Sequence, residues 1–234
     1  MARIARVVVP GLPHHVTQRG NRRQETFFVD ADYADYRALI AASCKRCGTQ
    51  VWAYCLMPNH VHLILVPSTE DGLRGALGEA HRRYTRMINL RQGWRGHLWQ
   101  ERFHSFVMDE PHLLAAARYI ERNPVRAGLC KTPEQWPWSS ARAHLSGRDD
   151  ELVRVQPLLD LIPDWSHYLV DEPVEPLVDA FHRHIRTGRP LGSNAFLSGV
   201  EARLGRVLRA RKPGPKPQRK ESDSGELFPD SARD

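Results

Sequence analysis

Apolar and polar positions along the chain alternate between two spacings, and the order in which those spacings occur predicts the elements. Residues 13–19, Pro-His-His-Val-Thr-Gln-Arg, form a β-prone run closed by the turn pair Gly20-Asn21. From Ala31 to about Arg46, Tyr33, Tyr36, Ile40 and Ala41 recur at helical spacing, and Gly48 follows as a stop. Residues 50–57 and 60–66 are two β-rich runs separated by Pro58-Asn59, the pattern of a tight antiparallel connection. The second run is apolar on both faces after its start, which predicts a strand in the middle of a sheet, covered on both sides. A helix over Gly72–Leu90 carries the stripe Leu73, Leu77, Ala80, Tyr84, Met87 and Ile88. A loop containing Gly93, Trp94, Gly96 and Trp99 leads to a short strand, His104–Met108. Asp109 then caps a third helix that has Pro111 in its first turn and is expected to end at Asn123, before Pro124. This order predicts an α+β fold: a ferredoxin-like, RRM-like antiparallel sheet with helices on one face.

After Trp136-Pro137-Trp138 the character changes, and residues 146–156 are polar and charged. We place a boundary there: a main domain over 1–148, a helical C-terminal module over 149–210 and a disordered basic tail over 211–234. The module rests on two amphipathic stretches, Val174–Arg186 and Ser193–Leu208. It could serve as a DNA-binding helix-turn-helix, an autoinhibitory lid or a stabilising brace. No run reaches the roughly 18 apolar residues of a spanning helix, so the expectation is a cytoplasmic protein with no membrane partner. The net charge of +7 makes a polyanion the first partner to consider. The four cysteines, with Cys44 and Cys47 as a lone C-x-x-C, read as reduced thiols.

The sharpest chemical signal is His60-Val61-His62 at the start of the central strand. Residues i and i+2 of a strand share a face, so both imidazoles point one way and can hold one divalent ion, while Val61 points into the core. The third helix places Tyr119 and Asn123 four apart on one side, with His112, Ala115 and Ala116. Leu113, Leu114, Ala117 and Ile120 lie opposite, for the core. Tyr119 is thus expected to be free of core duty, whereas Tyr84 sits on the apolar stripe of its own helix and is expected to be buried.

At these residues the chain resembles the REP-associated tyrosine transposases, relatives of the single-tyrosine HUH transposases. The resemblance covers residues 10–145, through His14-His-Val-Thr-Gln-Arg-Gly-Asn21, Met57-Pro-Asn-His-Val-His62, Gly96-His-Leu-Trp-Gln-Glu-Arg-Phe103, Tyr119-Ile-Glu-Arg-Asn-Pro-Val-Arg-Ala-Gly128 and Trp136-Pro-Trp-Ser-Ser140. It implies that His60 and His62 bind Mg²⁺ or Mn²⁺, that Tyr119 is the nucleophile, and that Asn123, where related transposases have glutamine, is a further ligand. It also implies that His15, Arg19, Asn21 and Arg22 contact DNA. The implied reaction cleaves and rejoins single-stranded or hairpin (REP-like) DNA through a 5′-phosphotyrosine, by a monomer or homodimer. A non-catalytic hairpin-binding regulator of the same fold is the alternative. A rolling-circle initiator or relaxase shares the histidines and tyrosine but usually has further domains.

Overall fold

The structure, a computed structural model, describes residues 4–209. The tail expected over 211–234 lies outside the described residues. Strands β1 (His14–Arg19), β2 (Thr49–Met57), β3 (His60–Pro67) and β4 (His104–Val107) form one antiparallel sheet, ordered β2-β3-β1-β4. The doubly apolar run is therefore the buried central strand β3, entered from β2 through Pro58-Asn59 with Met57 opposite His60.

One face of the sheet carries Val16, Tyr54, Leu56, Val61, Leu63 and Leu65. It is covered by α1 (Asp30–Arg46) and α2 (Gly72–Gln92) through Tyr36, Ile40, Leu73, Leu77, Tyr84 and Ile88. Each fully buried aliphatic side chain here contributes about 1.5–3 kcal/mol by leaving water. The Asp32 carboxylate at the start of α1 accepts two hydrogen bonds from Arg91 at the end of α2, which clamps the two helices side by side.

The α+β class and the antiparallel sheet agree with the sequence reading, but helices lie on both faces. α3 (Glu110–Arg126) crosses the second face, where Leu113, Ala116, Ala117 and Ile120 meet Ala53, Cys55, Ile64 and Phe106. The reason lies in β3, whose alternate residues His62 and Ile64 point away from α1 and α2 and need a cover of their own. α3 also runs past its expected end, because Pro124 falls in the last turn, where a missing N–H costs one hydrogen bond rather than a helix. Ala127 N–H then bonds the Asn123 carbonyl and closes the helix.

The segment after 148 shares the sheet's hydrophobic contacts. Val153 and Val155 join the first face. Helices α4 (Ala141–Ser146), α5 (Gln156–Leu159), α6 (Trp165–Tyr168) and α7 (Glu175–Thr187) follow the Trp-Pro-Trp block, and Leu158, Trp165, Leu169, Val178 and Phe181 pack on the second face. α8 (Asn194–Leu204) sets Val200 against Val7, Val9 and Val107. Both edges of the sheet are occupied. Leu56 N–H bonds the Trp138 carbonyl and Ser140 N–H the Tyr54 carbonyl beside β2, and Leu191 N–H bonds the Val107 carbonyl beside β4.

Candidate active site

Strand alternation puts His60 and His62 on the second face, and antiparallel register sets Arg19 opposite His60 and Thr17 opposite His62. Ala116 and Ala117 let α3 lie close to the sheet, which brings the Tyr119 ring perpendicular to His62 at 5.6 Å between centroids. The two histidine rings are 4.9 Å apart. Their Nδ1 atoms are both engaged: His60 Nδ1 lies 2.6 Å from Asn59 Oδ1, and His62 Nδ1 lies 3.0 Å from His15 Nε2. In the tautomers that donate from Nδ1, both Nε2 lone pairs are left for a ligand. Burial, with the Arg19 cation close by, depresses the His60 pKa to about 3. Burial also holds His62 well below its ordinary value, helped by the neighbouring His60, His15, Arg19 and His182. Both rings are therefore neutral at pH 7, the form that a cation requires.

These residues line a cavity of about 800 Å³ with Thr17, Gln18, Arg19, Arg23, Gln100, Glu101, His104, Tyr119, Asp179, His182, Arg183, Ile185 and Arg186. Tyr119 has more core contact than its helix stripe implied. It is 6% exposed, and its ring packs against Phe181 at 5.5 Å and under the Arg126 guanidinium. Burial raises its pKa, opposed by Arg126, the Asn123 side chain and Arg19, so the resting phenol is protonated. Tyr84 is fully buried on the other face, donating its hydroxyl to the Thr26 carbonyl at 2.6 Å, as its stripe predicts.

Of the four residues proposed to touch DNA, His15 cannot do so directly. It is 0% exposed, enclosed by Phe106, Phe181, Tyr119 and His62, because strand alternation turns it inward beneath α7. What it touches is the His62 ring. Arg19 and Arg22 are exposed and Asn21 is half-buried, its N–H bonded to the Leu98 carbonyl. Arg22 and its neighbour Arg23 both adopt left-handed backbone, φ 54° and 63°. Two successive non-glycine residues in that region carry strain that the surroundings must hold. Sequence reasoning missed Arg23, Glu101 and the whole contribution of α7. The sole signal was the polar face of the 174–186 stretch, whose His182, Arg183 and Arg186 recur at helical spacing.

The family described as "Transposase IS200 like" matches residues 8–123, just under half of the chain, and over those residues the chain belongs to this transposase family. Among individual proteins, a REP-associated tyrosine transposase of Haemophilus influenzae is 26% identical over 117 residues, 45% of this chain and 66% of its own length. The REP-associated tyrosine transposase of Escherichia coli K12 is 25% identical over 121 residues, covering 51% of this chain and 70% of that one. The chain thus spans just under two thirds of the length of the first. A solved REP-associated tyrosine transposase bound to a REP hairpin shares the fold, with a TM-score of 0.54 and 22% identity over 64% of this chain and 90% of that one.

The donors suit a divalent cation. Two neutral imidazoles with oriented Nδ1 atoms lie side by side, and on α3 the half-buried Asn123 has its Nδ2 atom out of water without a hydrogen-bond partner. Exchanging the amide's oxygen and nitrogen would turn that position into a carbonyl donor. Among the described residues no three His, Cys, Asp or Glu side chains form a metal-binding group, so the protein's share of the shell would be two imidazoles and one amide.

Proposed function

We propose that the chain is a DNA strand transferase that cleaves and rejoins single-stranded or hairpin DNA through Tyr119. The observation that carries this reading is the shared cavity, in which the phenol faces His60 and His62 beneath a basic rim. Mg²⁺ or Mn²⁺, held by His60 and His62 with Asn123 as a further donor, would polarise the scissile phosphate and stabilise charge developing on its oxygens. The protein's own residues do the rest. His15 and Asn59 hold the two imidazoles in register, and packing against Phe181 fixes the Tyr119 ring, so little freedom is lost when a phosphate arrives. As the Tyr119 Oη–P bond forms, the P–O3′ bond breaks, leaving a 5′-phosphotyrosine and a free 3′-hydroxyl. A 3′-hydroxyl can reverse the step, since the phosphodiester's energy is kept in the covalent bond.

Hairpin DNA is the proposed partner. Arg19 and Arg23 supply phosphate-seeking charge at the mouth of the cavity, with Arg22 exposed next to Arg23 in the chain, and the solved relative of the same fold was bound to a REP hairpin. Arg19, Asn21 and Arg22 stay as DNA-contact proposals, joined by Arg23. His15 becomes a positioning residue for His62.

The test uses labelled single-stranded hairpin oligonucleotides with randomised flanks, incubated with the full chain and Mg²⁺ or Mn²⁺ and run on denaturing gels. A covalent protein–DNA adduct is expected from the wild type and Tyr84→Phe and none from Tyr119→Phe. An adduct that persists in Tyr119→Phe refutes the nucleophile. Hairpin retention without an adduct under either metal supports the non-catalytic regulator instead.

A further inference from the structure

α7 lies beyond the segment that the family match covers, yet it forms a wall of the cavity. Val178 and Phe181 anchor it. Phe181 is fully buried, 5.9 Å from His15, 6.3 Å from Phe106 and 5.5 Å from Tyr119 between ring centroids. With that stripe held down, Asp179, His182, Arg183 and Arg186, spaced as i, i+3, i+4 and i+7, turn toward the cavity. His182 Nε2 stands 3.4 Å from the Tyr119 hydroxyl, and of the groups near that oxygen, the Asn123 amide and the Arg126 and Arg19 guanidiniums among them, the imidazole is the one suited to take a proton. Such contacts are often long before substrate binds and shorten in the reacting complex. The His182 side chain is also solvent-exposed, so a proton taken up on the ring can leave to water.

We propose that His182 is a catalytic residue supplied by α7, the proton acceptor for Tyr119; this rests on the reading of Tyr119 as nucleophile. In cleavage the phenol proton passes to His182 Nε2 while the Tyr119 Oη–P bond forms, the P–O3′ bond breaks and the departing 3′-oxygen takes a proton from water. In rejoining, an incoming 3′-hydroxyl loses its proton to water, attacks phosphorus, and the imidazolium returns its proton to the leaving phenolate. The demand for such a base is physical. A phenol is a poor nucleophile near neutral pH, where it holds its proton, and Arg126 above its ring stabilises the phenolate without accepting a proton.

The experiment is single-turnover adduct formation on the hairpin oligonucleotides that the wild type cleaves, with thermal unfolding and hairpin affinity as controls on folding. His182→Ala and His182→Gln are expected to slow the adduct by about 10²-fold or more while leaving hairpin affinity near the wild type's. Added imidazole should restore part of the rate to His182→Ala. Placing a fluorinated tyrosine of lower pKa at position 119 should shrink the gap between wild type and His182→Ala, because such a phenol needs less help to lose its proton. An unchanged rate in His182→Ala overturns the proposal. So does a faster one, which would make the ring a latch on the phenol, and so does a slow one that neither imidazole nor the fluorinated phenol rescues. If the wild type forms no adduct, or Tyr119→Phe still does, the functional reading itself falls and the proposal with it.

Discussion

Replacing Glu121 with alanine should unfasten the helix that carries Tyr119 while touching nothing in the cavity. Glu121 is fully buried two residues after Tyr119, on the opposite side of α3, and three buried donors converge on its carboxylate. Ser140 Oγ reaches Oε1 at 2.5 Å, His144 Nδ1 reaches Oε1 at 2.6 Å, and Trp165 Nε1 reaches Oε2 at 2.8 Å. One carboxylate thus ties α3 to α4, α6 and the segment that covers the β2 edge. Alanine strands the His144 and Trp165 N–H groups out of reach of water, at about 1–3 kcal/mol for each group, and leaves the Ser140 hydroxyl with only its longer bond to the Tyr54 carbonyl at 3.3 Å. These costs overlap, and we expect a loss of about 4 kcal/mol. With a urea slope of about 2.5 kcal/mol per molar, the midpoint of unfolding should fall by roughly 1.6 M. Glu121→Gln keeps one acceptor oxygen but turns an amide N–H₂ toward a donor, and should lose about half as much. A double-mutant cycle with Trp165→Phe should show coupling of about 1 kcal/mol or more, because the two changes remove the same hydrogen bond. A loss below about 1 kcal/mol for Glu121→Ala, or additivity in the cycle, would refute the convergence of donors on this carboxylate.

Acid should begin to destabilise the fold as pH falls below about 6.5, through a buried histidine. His14 is fully buried, donates from Nδ1 to the Leu12 carbonyl at 2.8 Å and accepts Val9 N–H at Nε2, and burial lowers its pKa to about 4. A folded-state pKa below the unfolded 6.5 gives stability that is present above pH 6.5 and lost as pH falls toward 4, at about 1.4 kcal/mol per pH unit. The urea midpoint, followed between pH 7 and 4.5, should fall less steeply in His14→Gln by that one proton, and an unchanged slope would contradict the burial of a neutral ring. Gly20→Ala should distort the loop that carries Arg22 and Arg23, since a Cβ there would lie 2.3 Å from the Gln24 carbonyl oxygen and 2.8 Å from a Thr26 methyl. We expect a loss of about 1–3 kcal/mol together with weaker hairpin binding in a filter or anisotropy assay, and wild-type values of both would show that the close approach is not real.

Most of the fold's order could be read from residue spacing. The strands and the three long helices were bounded to within a few residues, because a period of two and a period of 3.6 leave different marks, and turns such as Pro58-Asn59 punctuate them. The pairing of His60 and His62 was equally legible, since two residues apart on a strand is one face wherever the strand ends up. What spacing could not supply was the partner of each face. The sequence suggested helices on one side only, and the second face of β3 found α3 and α7 because its outward residues, His62 and Ile64, had to be covered. His15 shows the same limit: its block suggested a DNA contact, while register and the closure of α7 turned it into a buried neighbour of His62.

The local chemistry of this protein, paired imidazoles on a strand and a tyrosine beside small residues on a helix, was determined by the sequence alone, because it depends only on backbone periodicity. Which groups from distant segments meet that chemistry was decided by tertiary packing. His182 stands 63 residues from Tyr119 in the chain yet 3.4 Å from its hydroxyl. That contact exists because Phe181 drops into the hydrophobic second face and fixes the rotation of α7, and no local pattern records where a helix will find its groove.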